Sequence, residues 1–194
     1  MVTLSKLSNL KDSTSSVVNK LASELSYRTA IANYASRLTK LSSADASIVN
    51  AIKQEGIFVT SLEALSLPAT PQMIESVQNV LPNLPKTAEV VGDRVVTKHV
   101  VHAEYNHILV DQSNLFLWGL QNRLLDIVEN YIGLPSAYFG VDLRKDMPNG
   151  MQSGTRKWHK DGEDRRMLKV IIYLNDVDNN GGPFEYVPKH LNLS

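Results

Sequence analysis

The chain contains no cysteine, which excludes disulfides, thiolate metal sites and a cysteine nucleophile and gives no sign of an oxidising compartment. It also has no net charge, with twenty basic residues balanced by twenty acidic ones, so the electrostatic attraction that dominates non-specific nucleic-acid binding is absent and no nucleic-acid partner is expected. Long apolar runs are missing too. The longest is Val170–Leu174, against the ~20 residues that span a bilayer, and no apolar core followed by a small-residue cleavage site marks a secretory leader. The protein is therefore expected to be soluble and cytoplasmic, without a membrane partner. What remains is ordinary for a globular domain: 194 residues, 43% hydrophobic and 21% charged, enough to bury one sizeable core.

The first forty residues are rich in serine and biased towards bases, a composition shared with organellar transit peptides. Arginine is sparse there, however, and Val18, Leu21, Ala22, Leu25, Thr29 and Ala32 keep the spacing of a helix with one packed face. Ser42-Ser43-Ala44-Asp45 caps a helix over 46–54 that Gly56 stops, and residues 57–60 read as a strand. Prolines at 68, 71, 82 and 85 bracket a helix near 72–80, and the β-branched stretch 90–110 reads as one or two strands. Residues 114–131 carry the clearest helical periodicity, ended by Gly133 and Pro135. Strands are expected at 138–143, 168–174 and 184–187, with Asn179-Asn180-Gly181-Gly182 turning between the last two. Helices first and antiparallel strands later indicate an α+β protein whose chemistry lies on its sheet.

The strongest chemical signal is Trp158-His159-Lys160-Asp161, entering the apolar stretch 167–174. In extended backbone, residues i and i+2 share a side, so His159 and Asp161 can face one metal ion while Lys160 points away. An imidazole and a carboxylate so placed are two thirds of the facial triad that holds non-haem Fe(II) with positions left open. The triplet alone is weak. Five histidines and eleven aspartates give about 0.3 chance occurrences of His-x-Asp in such a chain.

Its context is more specific. The stretch from Trp158 to Val177, continued by Gly182-Pro183-Phe184-Glu185-Tyr186-Val187-Pro188-Lys189-His190, resembles the phytanoyl-CoA dioxygenase-like family of Fe(II)/2-oxoglutarate-dependent oxygenases. Residues 51–59 and the helix end at 129–135 are similar to further family segments, so the resemblance covers about 45–190. It implies a double-stranded β-helix, a cupin-like jelly-roll core decorated by N-terminal helices, with a Ser-rich helical extension over 1–44 and an oxygenase-like domain over 45–194. It also implies that His159 and Asp161 ligate Fe(II), that 2-oxoglutarate and dioxygen are consumed, and that a small organic substrate is hydroxylated. Related halogenases have a small residue in place of the carboxylate, so Asp161 points to hydroxylation.

The sequence departs from the family where the second histidine and the arginine that grips 2-oxoglutarate belong. After Asp161 the single histidine is His190, and no arginine follows Arg166. His190 is a third-ligand candidate only if a hairpin returns it to the site, and the alternative is an incomplete barrel that self-associates through an exposed sheet. Arg165, Arg166 and Lys169 are candidates to neutralise the cosubstrate's carboxylates, or else they form a solvated strand edge. Tyr173 lines either the cavity or the core, and Trp158 either packs in the barrel or offers a substrate platform. A competing cupin-like metal site is His99, His102, Glu104 and His107, in which His102 and Glu104 have the same i, i+2 relation. The readings left open are thus an oxygenase, an inactive oxygenase-like fold or interaction module, and a cupin-like metal-binding protein.

Overall fold

The structure is a computed structural model that describes residues 4–84, 90–91, 94–95, 100–147, 156–162, 164–179 and 181–191, with side chains for all but 4–16 and 90–95. Seven helices and four short strands are found among them. The helices are α1 (Leu4–Tyr34), α2 (Ser43–Glu55), α3 (Leu62–Leu65), α4 (Thr70–Val80), α5 (Tyr105–Asp111), α6 (Ser113–Trp118) and α7 (Asn122–Ile132). The strands are β1 (Val90–Val91), β2 (Arg94–Val95), β3 (Val100–His102) and β4 (Arg144–Asp146). β1 pairs with β2 and β3 with β4, both antiparallel, as two separate two-stranded sheets.

This arrangement overturns the expected jelly roll: the described fold is mostly helical and holds no double-stranded β-helix. The stretches expected as strands at 57–60, 138–143, 168–174 and 184–187 form no ladder among the described residues, apart from Leu143, whose carbonyl accepts from Ala103 N–H at 2.8 Å beside β3 and β4. Of the residues read as strand over 90–110, Tyr105–Asp111 is instead helical. There Ile108, 1% exposed, is the most deeply buried large side chain described, and that burial outweighs its β-branched propensity.

The helices form where local chemistry specifies them. Ser42 caps α2 by accepting from Asp45 N–H at 3.1 Å, and Gly56 ends it in the left-handed region at φ 86°. Pro71 opens α4, which buries Met73, Val77 and Val80 on one face. The continuous helix expected over 114–131 is two. It breaks between α6 and α7 where Tyr138 lies against Gly119, so closely that a Cβ there would sit 2.6 Å from Tyr138 Cζ. Trp118 Nε1 donates to Thr70 Oγ1 at 3.1 Å and Ala69 N–H donates to Gln121 Oε1 at 3.0 Å, tying that break to the start of α4.

The main core gathers Leu67, Met73, Val77, Val80, Leu84, Ile108, Leu115, Trp118, Leu124 and Leu143, with Ile172 packed against its margin. α2 packs on α7, where Val49, Ile52 and Ile127 are buried. Arg123 of α7 crosses this junction to buried Asp45, with Nη2 2.8 Å from Oδ1, and donates through Nη1 to the Leu65 carbonyl. The packed face expected of α1 is not packed: Val18, Leu21 and Leu25 are 62%, 66% and 68% exposed. Contact with the body comes further along, where Tyr34 donates to Glu129 Oε2 at 3.2 Å and Ile31 lies against Gly133. No helix among the described residues is long and apolar enough to cross a membrane.

Candidate functional site

His159 and Asp161 lie on irregular extended chain held at both ends by arginines. On one side, Arg156 Nη2 donates to the Met147 carbonyl at 2.7 Å, just past β4. On the other, Arg165 places its guanidinium 4.8 Å from the Tyr27 ring centroid and 3.1 Å from Glu24 Oε2 of α1. Arg166 donates to the Tyr131 and Ile132 carbonyls at the end of α7, at 3.4 and 3.2 Å. The last contact matches a cation to the negative end of a helix. Among the described residues, arginine contacts and no strand pairing position the stretch that carries the pair.

Within it, His159 Nδ1 is 2.7 Å from the Lys157 carbonyl oxygen. A carbonyl can only accept, so Nδ1 carries the proton, and in the neutral ring Nε2 presents its lone pair. Nε2 is 3.5 Å from Asp161 Oδ1, so two acceptors face each other across a gap that a cation can fill. Bonds of about 2.1 Å from both atoms can converge on one divalent ion there, and a carbonyl holding the remote ring nitrogen is the usual outer support of a ligating histidine. The other carboxylate oxygen, Oδ2, accepts from Lys169 Nζ at 2.7 Å. That hydrogen bond is the main reason the Asp161 carboxyl is held below its ordinary range, with desolvation opposing it.

The remaining candidates do not converge on this pair. Lys169 is engaged with Asp161 and Arg165 with α1, so neither stands where the resemblance would have it grip a cosubstrate carboxylate. Trp158 is 67% exposed and packs in no barrel. The Tyr173 hydroxyl accepts from Phe184 N–H at 2.8 Å, on the wall of an open hollow of about 470 Å³ that includes Leu174, Asp176 and Pro183 but neither His159 nor Asp161. His190 Nδ1 lies 3.3 Å from Glu55 Oε2, beside Lys189, which donates to the Lys53 carbonyl at 2.9 Å at the end of α2. His190 is therefore placed against the end of α2.

The rival cluster is dispersed as well. His102 Nδ1 pairs with Asp142 at 2.9 Å, His107 Nδ1 with Asp111 at 2.8 Å within α5, and Glu104 sits at the N-terminal boundary of α5. His99 lies outside the described residues. Among those residues no three histidine or carboxylate side chains gather where they could hold one ion. His159 and Asp161 therefore fit a divalent ion as two donors, and no three-residue triad is assembled among the described residues. The Lys157 carbonyl is the participant that sequence reasoning missed, since a backbone acceptor leaves no residue-type signal. No family model, curated protein or solved structure matches the chain.

Proposed function

We propose that the chain binds one divalent metal ion, Fe(II) in its working form, through His159 Nε2 and Asp161 Oδ1, and belongs to the oxygenase chemistry in which 2-oxoglutarate and dioxygen are cosubstrates. The observation that carries this reading is the Lys157 carbonyl on His159 Nδ1, which turns the free nitrogen towards the Asp161 carboxylate. The resemblance over 158–190 supplies the reaction class. Iron so bound would supply the oxidising power for hydroxylation of a small organic substrate, while the chain's own residues orient the donors.

Titration with Mn(II), followed by the loss of its free-ion spin-resonance signal, tests the site. One equivalent should bind to the intact chain, and His159→Ala and Asp161→Ala should each abolish binding. Unchanged affinity in both variants would sink the assignment. Succinate formed from 2-oxoglutarate with Fe(II) and dioxygen tests the reaction separately, and a rate well below about 1 per second is expected from the chain alone with two protein donors. A second reading, a non-catalytic interaction module, is favoured by the exposed apolar side chains between Val170 and Val187. Metal binding with no succinate at all would favour it.

A further inference from the structure

We infer that the stretch from Arg165 to Asp178 pairs antiparallel with the same stretch of a second copy of this chain. Its centre, Val170–Leu174, consists of β-branched, aromatic and aliphatic residues, and no proline occurs between Met167 and Gly182. Residues 167–173 form no helix, turn or ladder, and the chain bends at 165–166 and again at 174–175. None of the backbone groups from Val170 to Leu174 bonds to the backbone of another described residue. Ile172 packs on the margin of the core, whereas Val170, Ile171 and Tyr173 are about half exposed. A stretch whose central backbone groups pair with no other described backbone has the character of an edge strand and is a template for another strand.

The order of charges identifies the occupant and its direction. Bases stand at the start, Arg165, Arg166 and Lys169, and acids at the end, Asp176 and Asp178, with no acid from 165 to 175 and no base from 170 to 188. Parallel copies would set like charges together. With the bends at 165–166 and 174–175 straightened in the pair, antiparallel copies centred on Ile171 set Arg166 opposite Asp176, and copies centred on Ile172 set it opposite Asp178, twice each by symmetry. Arg166 already donates through Nη1 to α7, and a guanidinium with five N–H groups can hold those carbonyls and a partner's carboxylate together. Neither His159 nor Asp161 takes part in this pairing, and the one link to the proposed metal site is Lys169, which donates to Asp161 Oδ2.

Sedimentation velocity of the full chain over an about hundredfold concentration range tests it. A reversible monomer–dimer equilibrium is expected, and Ile171→Pro or Ile171→Lys should leave a monomer with unchanged far-ultraviolet dichroism, because the site lies outside every helix. Arg166→Asp should weaken the dimer by about tenfold, and adding Asp176→Arg and Asp178→Arg should restore it. Three outcomes would overturn the inference: a monomer throughout, a dimer indifferent to both Ile171 variants, or a dimer lost only on Leu21→Ser and Leu25→Ser in α1.

Discussion

Asp45 is buried in the first turn of α2, and its carboxylate accepts from Arg123 Nε at 3.1 Å and Nη2 at 2.8 Å. Those bonds are the largest cause of a carboxyl held below its ordinary range, helped by Ser42 and opposed by burial. A carboxyl depressed in the folded state contributes stability that is complete above the unfolded value of ~3.9 and is lost as pH falls through the folded value. Asp45→Asn should therefore destabilise the chain by about 1–3 kcal/mol at neutral pH, below the 3–5 of a fully buried pair because Arg123 keeps some solvent. The deficit should shrink in urea titrations as pH falls below the unfolded carboxyl value of ~3.9 and through the lower folded one, and a deficit independent of pH would remove the ion pair from the account. Lys169 makes the opposite test at the candidate metal site. Its ammonium repels any cation placed between His159 and Asp161, so Lys169→Met should tighten Mn(II) binding by about tenfold, and weaker binding would mean that Lys169 orients the carboxylate. The nearness of His159 to Asp161 was legible from their i, i+2 spacing. The engagements of Lys169 with Asp161, Arg165 with Glu24 and His190 with Glu55 were not, because residues 8, 141 and 135 positions apart meet only through tertiary packing.

Elements were legible in proportion to how local their causes are. Caps and stops act within a few residues, so α2 begins beside Ser42 and α7 ends before Gly133, at φ 82°, as the sequence indicates. Gly133→Ala should cost about 1–2 kcal/mol through the left-handed backbone, and more if Ile31, whose Cγ2 would lie 3.3 Å from the new Cβ, fails to yield. Thermal melts measure this directly, and no loss would mean that the turn relaxes. Gly119→Ala acts through a different cause. Its φ is an ordinary −69°, so the expected loss of about 1–3 kcal/mol comes wholly from collision with Tyr138, and Tyr138→Ala should abolish the difference between glycine and alanine. The helical pattern over 114–131 is interrupted at Gln121, whose backbone is extended at φ −65° and ψ 132°, which no periodicity within the segment shows. Strands failed for a related reason, since a β-rich stretch becomes a strand only when a partner meets its edge. Val100–His102 found Arg144–Asp146, while 168–174 found none among the described residues.

Across the whole molecule these differences divide the chain into a packed helical body and a surface segment. The body runs through α2, α4, α5, α6 and α7 and holds nearly all the buried side chains, from Asp45 to Leu143. Beyond it, residues 156–191 lie on the surface through a few contacts: Arg156 on Met147, Arg165 on α1, Arg166 on α7, Ile172 on the core margin, and Lys189 and His190 on α2. Stability against local opening follows buried contacts and internal hydrogen bonds, so the two parts should exchange amide hydrogens on different timescales. In dilute solution the amides of α4 and α7 should be the slowest, and those of Val170–Leu174 should exchange at close to the rate of an unstructured peptide. Raising the protein concentration should slow Val170–Leu174 selectively, because strand pairing between copies protects that backbone and leaves the helices as they were. Mass spectrometry of deuterium uptake at two concentrations reads both effects at once. Slow exchange of Val170–Leu174 at every concentration would mean that the stretch is covered within a single chain, and then both its open edge and its pairing with a second copy fail together.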